Sequence, residues 1–410
     1  MLTHANEQAM AGPPQKGRGY AIAAGILGWT LDAFDFFVVI FMVDALASHF
    51  HVGKASIVAS IGATLAMRPV GALFFGTLAD RYGRRKPLMA VIGYFSLIEV
   101  LSGLAPTYSI FLILRLLYGV GMGGFWGVGA SLTMESAPGR WRGLLSGLLQ
   151  GGYPLGYLLA AVAARLILPA WGWRAMFWAG LVPGIITMLV AYKSPESEAW
   201  KQHKVQSVKE IAVVVWNHRA IFAYLVLMLT LMTCLSHGTQ DLYPDFLKSA
   251  HHVSANAVAY LAMFYNLGAL LGTVSVGHIS QRLGRRKSVI GSLCLCAIVI
   301  PFWAFGHTLA ILAMAAFLMQ VGVQGAWGVV PVHLNELSPD SVRSLFPGFV
   351  YQLGVLFGSP TNTVEYALRD RVGYQWALTS FEACTVVALV LIFALGPERK
   401  DRAFVHPSRN

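Results

Sequence analysis

Long apolar runs and short polar breaks alternate along the whole chain. Each run holds about 20 residues, enough for a helix to cross a hydrocarbon core about 30 Å thick. The alternation predicts twelve membrane-spanning helices, so the expected fold is an all-α polytopic membrane protein. The predicted spans cover 20–43, 56–79, 88–105, 108–131, 142–164, 172–192, 219–243, 256–279, 288–306, 308–331, 344–364 and 374–396.

The composition agrees with a membrane protein. Of the 410 residues, 56% are hydrophobic and only 12% are charged, against about 25% charged in a soluble protein. The first 19 residues are polar and have no apolar core, so no cleaved signal peptide is expected. Cys294 and Cys296 are two residues apart and point to different faces of a helix, which argues against a shared metal. The sequence predicts no metal and no cofactor.

The distribution of basic residues predicts the topology. Most of the 30 Lys and Arg residues fall on the side of the predicted spans that also holds both termini. Cytoplasmic loops of membrane proteins carry this excess, so both termini are expected in the cytoplasm. The net charge of +11 is therefore a topology signal and does not indicate nucleic-acid binding.

A basic turn occurs twice, at 76–86 and at 277–287, with matched positions 201 residues apart. A repeat at one fixed offset indicates two related halves. The predicted organisation is a cytoplasmic N-terminus at 1–19, a six-helix half at 20–192, a cytoplasmic loop at 193–218, a second six-helix half at 219–396, and a cytoplasmic tail at 397–410.

The first copy of the turn contains a candidate gate. Asp80 ends a predicted helix, where a carboxylate meets the negative end of the helix dipole and needs cations or the start of another helix to offset it. One hypothesis is a charge latch that holds the cytoplasmic gate shut; the alternative is a loop that only sets topology. In the second copy Gln281 replaces the carboxylate, which predicts a one-sided latch. The candidate gating residues are Gly76, Asp80, Arg81, Gly83, Arg84 and Arg142.

Two carboxylates lie within the first predicted span. Asp32 and Asp35 are one turn apart and share a helix face. Two carboxylates that close cannot both ionise cheaply when desolvated, so the pair is a candidate proton carrier. The alternative is one salt-bridged and one hydrogen-bonded aspartate that hold helices together.

Two arginines also lie within predicted spans, Arg68 in the second and Arg115 in the fourth. A guanidinium binds a planar carboxylate through two hydrogen bonds, so both are candidate substrate-binding residues. The alternative is an ion pair with Asp32, Asp35 or Glu99, because buried charges are normally paired.

The seventh predicted span contains His237, Gln240 and Asp241. His237 and Asp241 are four residues apart and therefore share a face, and histidine changes charge near physiological pH. The pair is a candidate for proton coupling, and His237 and Gln240 are candidates for substrate binding. The alternative is a cluster at the outer rim that water solvates.

Four further polar residues lie within predicted spans and are weaker candidates for a substrate cavity. Each of them is equally consistent with polar packing between membrane helices. They are Gln150, Tyr153, Gln324 and Gln352.

Two six-helix halves joined by a central loop, with the repeated Gly-x-x-x-Asp-Arg-x-Gly-Arg-Arg-Lys turn, resemble the major facilitator superfamily. The stretch from Ser236 to Asp241 is similar to the helix 7 signature of its sialate/monocarboxylate proton symporters. Ser236, His237, Gln240 and Asp241 match that signature, and Thr233 replaces its Asn. The resemblance implies that the His and Asp act in substrate binding and proton coupling.

Together these observations predict a proton-coupled importer of a small monocarboxylate such as lactate or pyruvate. It would work by alternating access, as a monomer, in the bacterial inner membrane. Sialic acid or an aromatic acid is the alternative substrate, and an exporter or a non-transporting sensor is the alternative function. No nucleophile–base pair appears, so the sequence does not predict an enzyme.

Overall fold

A computed structural model describes residues 16–205 and 207–405, and these residues form eighteen α-helices and two 3₁₀ turns. The predicted N-terminus and tail therefore lie partly outside the described residues. The first half contains α1 (Arg18–Phe41), α2 (Val43–Phe50), α3 (Lys54–Tyr82), α4 (Arg85–Gly103), α5 (Tyr108–Ser136), the turn Gly139–Trp141, α6 (Arg142–Leu166), α7 (Leu168–Ala179) and α8 (Leu181–Lys193).

The second half repeats this order after two short helices. It comprises α9 (Glu198–Gln202), α10 (Val208–Asn217), α11 (Arg219–Gln240), α12 (Tyr243–Ser249), α13 (Ala255–Leu283), α14 (Arg285–Phe305), α15 (Leu309–Leu337), the turn Asp340–Val342, α16 (Leu345–Gly358), α17 (Thr361–Val372) and α18 (Tyr374–Leu395).

Ten helical segments of the described chain are long and apolar enough to cross a membrane. Two predicted spans are not among these ten segments. They are the fifth, which is α6, and the eleventh, which Ser359 and Pro360 divide into α16 and α17. The sixth span is also divided, because α7 ends at Ala179 and α8 begins at Leu181. The twelve predicted spans are thus all helical, and two of them are broken.

Glycines allow the helices within each half to approach closely. A Cβ atom on Gly71 would lie 1.8 Å from the carbonyl oxygen of Val120, and one on Gly272 would lie 2.3 Å from that of Val321. The two glycines are 201 residues apart and bring α3 against α5 and α13 against α15. Small residues at such crossings replace the hydrophobic driving force that lipid does not supply.

The halves meet where α3 packs on α16 and where α6 packs on α13. Large apolar side chains such as Leu395 and Trp171 remain exposed on the outside of the bundle, as expected of a surface that faces lipid tails. This arrangement leaves a space between the halves, and the polar residues described next line it.

Candidate functional site

A cavity of about 450 Å³ lies between the two halves. Its lining extends from Arg68, midway along α3, to Ile61 near the outer start of that helix and to Pro244 in α12. Ile61 and Pro244 both lie at the side of the membrane opposite the basic turn at 76–86, so the cavity faces the outer side. Its polar and aromatic lining includes Arg68, Gln150, Tyr153, Tyr157, Thr233, Ser236, His237, Gln240, Asp241, Tyr265, Asn266, Gln324, Trp327 and Tyr351.

Arg68 is the cationic side chain at the inner end of this cavity. It is only 4% exposed, and its Nε and Nη2 atoms have no hydrogen-bond partner among the described residues. Its guanidinium carbon lies 5.8 Å from the ring centre of Tyr351, a cation–π distance. A buried guanidinium with two unused donor atoms is suited to binding an anion.

The two aspartates of α1 lie behind the cavity wall and do not line the cavity. Asp32 is fully buried, both of its carboxylate oxygens lack a hydrogen-bond partner in the described part of the chain, and its charge interacts with that of Arg68. Asp35 is 3% exposed and packs against Gly180, where a Cβ atom would lie 2.4 Å from Oδ1. Only Asp32 is placed to influence a ligand of Arg68.

Arg115 lies outside the cavity. Its Nη1 atom donates to Glu99 Oε1 at 2.9 Å, and Ser102 accepts a further hydrogen bond from Nη2. The rings of Tyr118 and Phe177 lie 4.8 Å and 5.2 Å from its guanidinium carbon. The structure thus places Arg115 in the intraprotein ion pair that was the alternative to substrate binding.

His237 and Asp241 lie together on the cavity wall. His237 Nδ1 and Asp241 Oδ2 are 2.8 Å apart, and Asn362 donates to the same oxygen at 2.9 Å. About a third of each of the two paired side chains is exposed, because the open cavity lies beside them. The pair is therefore in reach of water and of a bound ligand.

Glutamines connect α11 to α15 beside this pair. Gln240 Nε2 donates to Gln320 Oε1 at 2.5 Å, and Gln324 Nε2 donates to Ser236 at 3.3 Å. Gln150 and Tyr153 reach the cavity from α6. Gln352 does not line it and instead donates to the carbonyl oxygen of Gly123 at 3.4 Å.

The cytoplasmic end of the cavity is closed by contacts between the halves. Asp80 is fully buried and accepts from the backbone N–H groups of Ser344 and Leu345 at 3.0 Å and 2.9 Å. These groups are at the start of α16, where unpaired N–H groups and the helix dipole favour an anion. The Asp80 carboxylate thus joins the two halves.

Arg84 forms an ion pair with Asp80. Its Nη1 atom donates to Asp80 Oδ1 at 2.7 Å, and Nη2 donates to Glu135 at 3.2 Å. Burial alone would lower the pKa of Arg84, but Glu135 and Asp80 raise it, so the side chain stays charged. Gly83 lies at φ +103°, in the left-handed region, and a Cβ atom there would approach Glu196 Oε2 to 2.3 Å.

The other candidate gating residues lie around this centre. Gly76 faces the start of α16, where a Cβ atom would lie 2.7 Å from Leu345 Cα. Arg81 does not reach Asp80 and stacks on Tyr82 at 5.0 Å. Arg142 does not reach it either and donates to the backbone carbonyl of Arg402 at 2.9 Å.

The second copy of the turn also joins the halves. Gln281 Oε1 accepts from the backbone N–H of Gly143, at the start of α6, at 3.1 Å. The second copy thus also makes a contact between the halves, with a neutral amide oxygen in place of the carboxylate. A charge latch in the first copy alone stays a prediction. Arg285 repeats the role of Arg84 and donates to Glu336 at 2.8 Å.

The tail after α18 covers this second contact. Asp401 accepts from Gln281 Nε2 at 2.9 Å, and Arg402 donates to Asp340 at 2.8 Å. Phe404 is buried between the guanidinium groups of Arg142 and Arg343, whose carbons lie 3.9 Å and 4.1 Å from its ring centre. The tail thus bridges one half to the other.

Several residues of these sites were not predicted from the sequence. Glu135 and Glu336 are 201 residues apart and each follows its arginine by 51 residues, so a search of the repeat for matched charges would have found them. The aromatic residues Tyr265 and Trp327 line the cavity but carry no such signal. Glu365, buried in α17, lies one residue beyond the eleventh predicted span and so was not among the intramembrane candidates.

The described residues contain no group of His, Cys, Asp and Glu side chains that could hold a metal ion. The polar groups of the cavity are suited to an organic ligand with a carboxylate: one buried cation, one His–Asp pair and several amides.

Three proteins are similar to this chain over most of its length. A probable 4-methylmuconolactone transporter of Cupriavidus pinatubonensis is 29% identical over 94% of this chain and 91% of its own length. A carboxylic acid transporter protein homolog of Saccharomyces cerevisiae is 30% identical over 85% of this chain and 61% of its own length. The sialic acid transporter NanX of Escherichia coli is 26% identical over 84% and 85%.

The fold is also that of a solved transporter. The proton:xylose symporter XylE bound to 6-bromo-6-deoxy-D-glucose superposes with a TM-score of 0.74, covering 94% of this chain and 97% of that one, at 19% identity. At that identity the likeness extends to the fold alone.

The family model of the Major Facilitator Superfamily matches residues 25–240 and 241–409, which is nearly the whole chain. With the ten apolar helices and the bacterial relatives, this places the chain in the bacterial inner membrane as a multi-pass protein. The chain belongs to the Major Facilitator Superfamily and is a transporter rather than an enzyme.

Proposed function

We propose that this transporter imports a small monocarboxylate, such as lactate or pyruvate, together with protons. The observation that carries the proposal is Arg68, a buried guanidinium in the cavity with two donor atoms that no described residue uses. A carboxylate from outside is the ligand that would pair with it through two hydrogen bonds. The relatives named for muconolactone, carboxylic acid and sialic acid transport support an organic acid as substrate.

Asp32 supplies the coupling in this account. Its buried carboxylate interacts with Arg68 and, when ionised, competes with the substrate for that cation. A proton on Asp32 removes the competition, so proton and anion favour each other's binding. Such mutual dependence is what coupling between two sites requires.

His237 and Asp241 contribute a second protonatable pair on the opposite wall of the same cavity. With both walls neutralised or positive, an anion can enter the cavity without repulsion. One proton with one monoanion moves no net charge, whereas two protons would add the membrane potential, worth about 2.3 kcal/mol per charge per 100 mV.

Alternating access follows from the closed cytoplasmic face. The contacts of Asp80 with α16 and of Gln281 with α6 hold the inner ends of the halves together while the cavity faces outward. Import requires these contacts to break after the substrate binds. Asp80 would then act as the latch and Arg84 as its positioning residue.

An aromatic acid is the second candidate substrate, and the cavity wall favours it for a specific reason. Seven Phe, Tyr and Trp side chains line the cavity that contains Arg68: Phe36, Phe37, Tyr153, Tyr157, Tyr265, Trp327 and Tyr351. Rings stack on such surfaces with centroids 4.5–7 Å apart, so a benzoate-like acid would find both a cation and an aromatic wall.

The test is uptake of labelled lactate by proteoliposomes, with and without an inward proton gradient, in competition with pyruvate, acetate, benzoate and sialate. We expect gradient-driven uptake that pyruvate inhibits. Gradient-driven uptake of labelled benzoate but not of lactate would transfer the proposal to aromatic acids, and no gradient-driven uptake of any acid would contradict it.

The variant Arg68→Gln tests the residue that carries the proposal. Loss of one partner of a buried charged hydrogen-bonded pair costs about 2–5 kcal/mol, so uptake should fall at least tenfold. The matched control is Arg115→Gln, which removes a buried arginine outside the cavity. Equal loss of substrate affinity in the two variants would remove Arg68 from the binding site.

A further inference from the structure

Two buried glutamates face each other beside the His237–Asp241 pair. Glu365, on α17, is 1% exposed and Glu382, on α18, is fully buried. None of their four carboxylate oxygens has a hydrogen-bond partner among residues 16–205 and 207–405. The mechanism proposed above uses neither residue.

Gly238 of α11 brings the two carboxylates to one point. A Cβ atom on this glycine would lie 2.0 Å from Glu382 Oε1 and 3.0 Å from Glu365 Oε1. Both oxygens therefore occupy the space that a larger residue at position 238 would fill. Two buried carboxylates that lack a hydrogen-bond partner among the described residues thus border the same glycine.

Two ionised carboxylates cannot occupy this space. An isolated buried charge is so costly that the group normally neutralises instead, and a second carboxylate at the same point adds repulsion. A protonated carboxyl group, in contrast, donates its O–H to the neighbouring carboxylate. One proton thus gives the pair the hydrogen bond that no described residue provides.

The other titratable groups that face the pair come from two helices. Cys234 and Asp241 face it from α11, and Cys296 faces Glu382 from α14. None of them is a cation, so no fixed positive charge replaces the proton.

A chain of polar groups connects the pair to the cavity. His237 contacts Asp241, and Asp241 accepts from Asn362. Asn362 lies one helical turn before Glu365 on α17 and shares a face with it. The water-exposed His–Asp pair therefore lies next to the dry glutamate pair, and the charge of Asp241 acts on Glu365.

We propose that Glu365 and Glu382 form a proton-binding site in the second half, loaded from the outer cavity through His237 and Asp241. A proton from the outer water adds to one carboxylate oxygen, forms an O–H bond shared with the other glutamate, and leaves to the cytoplasm after the halves have rocked. This assignment depends on the proposed proton-coupled import, and it identifies where the second half holds its proton.

Sodium is the competing occupant, and the geometry favours a proton. Hard cations such as Ca²⁺ take six to eight oxygen ligands and Mg²⁺ takes six, whereas the described residues contain no group of three or more His, Cys, Asp or Glu side chains that could hold a metal ion. Replacing the proton gradient by a sodium gradient separates the two ions. Acid uptake driven by sodium alone would overturn the proton assignment.

The experiment uses the full-length chain in proteoliposomes and the labelled acid that the unmodified protein accumulates. Glu365→Gln and Glu382→Gln keep the shape of a neutral carboxyl group but cannot release a proton. We expect gradient-driven accumulation to fall about tenfold or more, within the range typical of coupling between two sites. Exchange of labelled for unlabelled acid at equal pH, which needs no net proton movement, should fall much less.

Three further results decide the assignment. Glu382→Asp, which keeps a titratable group, should recover part of the accumulation, whereas Gly238→Ala should resemble the glutamine variants because its Cβ displaces both carboxylates. The matched control is Gly291→Ala on α14, where a Cβ atom meets nothing within 4 Å.

Accumulation at the unmodified level in both glutamine variants would overturn the site. Equal loss of accumulation and exchange would also overturn it, because that result indicates a structural role. Absence of proton-driven uptake by the unmodified protein would instead contradict the proposed function, so the two failures are distinguishable.

Discussion

The turn at 76–86 and its repeat at 277–287 both contact the first turn of a helix in the other half. The Asp80 carboxylate accepts from two backbone N–H groups at the start of α16 and from Arg84. Gln281 meets the start of α6 with an amide oxygen and one backbone N–H group. Both copies thus have a hydrogen-bond acceptor at this position, but only the first copy has a negative charge there.

The two copies also differ in what surrounds the acceptor. Gln281 has an N–H₂ group that Asp80 lacks, and it donates this group to Asp401 of the tail. The tail in turn reaches Arg142 of the first half through Phe404. The second copy therefore replaces one charged contact by a neutral contact plus a covering segment. We infer that the first copy contributes most to cytoplasmic closure.

One reporter measures closure for all variants. Ser131 and Ser344 are buried, and their hydroxyl oxygens lie 2.7 Å apart across the halves. A Ser131→Cys substitution, in a chain whose four native cysteines are replaced, is labelled by an impermeant maleimide from the cytoplasmic side only when the halves separate there.

The largest effect is expected from Asp80→Asn. Removing one partner of a buried ion pair costs about 3–5 kcal/mol, and each 1.4 kcal/mol changes a population about tenfold. Labelling of the reporter should therefore rise at least tenfold, while binding of the acid is retained. Unchanged labelling would contradict the latch.

Gly76→Ala and Gly277→Ala should have the next largest effect, and the two should match. Their Cβ atoms would lie 2.7 Å from Leu345 Cα and 2.8 Å from the Gly143 carbonyl oxygen. Overpacking of this kind costs about 1–3 kcal/mol and would hold the halves apart on the cytoplasmic side.

Gly62→Ala is the control for both glycine variants, because it lies on the same helix as Gly76 and its Cβ meets nothing within 4 Å. Equal increases in labelling for Gly76→Ala and Gly277→Ala would mean that the two copies pack equally closely against the other half and differ only in charge. A much larger effect at Gly76 would show that the first copy dominates through packing as well.

Gln281→Ala should have a smaller effect than Asp80→Asn. A neutral hydrogen bond contributes about 0.5–1.5 kcal/mol, so reporter labelling should rise about threefold. Gln281→Glu with Asp401→Asn keeps an acceptor for Gly143 and a donor at 401, and should restore closure. Labelling as high as in Asp80→Asn would reverse the ranking of the two copies.

The smallest effect is expected from Phe404→Ala. Its ring contacts two guanidinium groups, and each such contact is worth about 0.5–2 kcal/mol, but the hydrogen bonds of Arg402 continue to hold the tail. Labelling should rise about twofold. Phe404→Tyr keeps the ring and should not change it; an equal rise in both variants would exclude the ring contacts as the cause.

Much of the fold could be predicted from the sequence, because lipid forces each crossing segment to satisfy its own backbone as a helix. The breaks could not. Gly180 lies between α7 and α8 within the sixth predicted span, and Pro360 lies between α16 and α17 within the eleventh. A hydropathy average over about 20 residues does not register an interruption of one or two residues.

The site was predicted in part for a related reason. Intramembrane Arg68, His237 and Asp241 stand out against apolar neighbours, and the structure brings them to one cavity. Arg115 stands out equally, but its partner Glu99 is on another helix, and a single sequence does not report which buried charges meet. The same limit hid the meeting of Glu365 and Glu382 at Gly238.

Measuring proton movement during acid entry is the most direct test of proton-coupled import. Labelled lactate is added to proteoliposomes held at zero voltage without a pH gradient, and external pH and internal label are followed together, with protein-free liposomes correcting for leak of the undissociated acid. If protons enter with the acid, the medium becomes alkaline as the label enters, and Arg68→Gln abolishes both signals. Entry of label without any proton movement would contradict proton-coupled import.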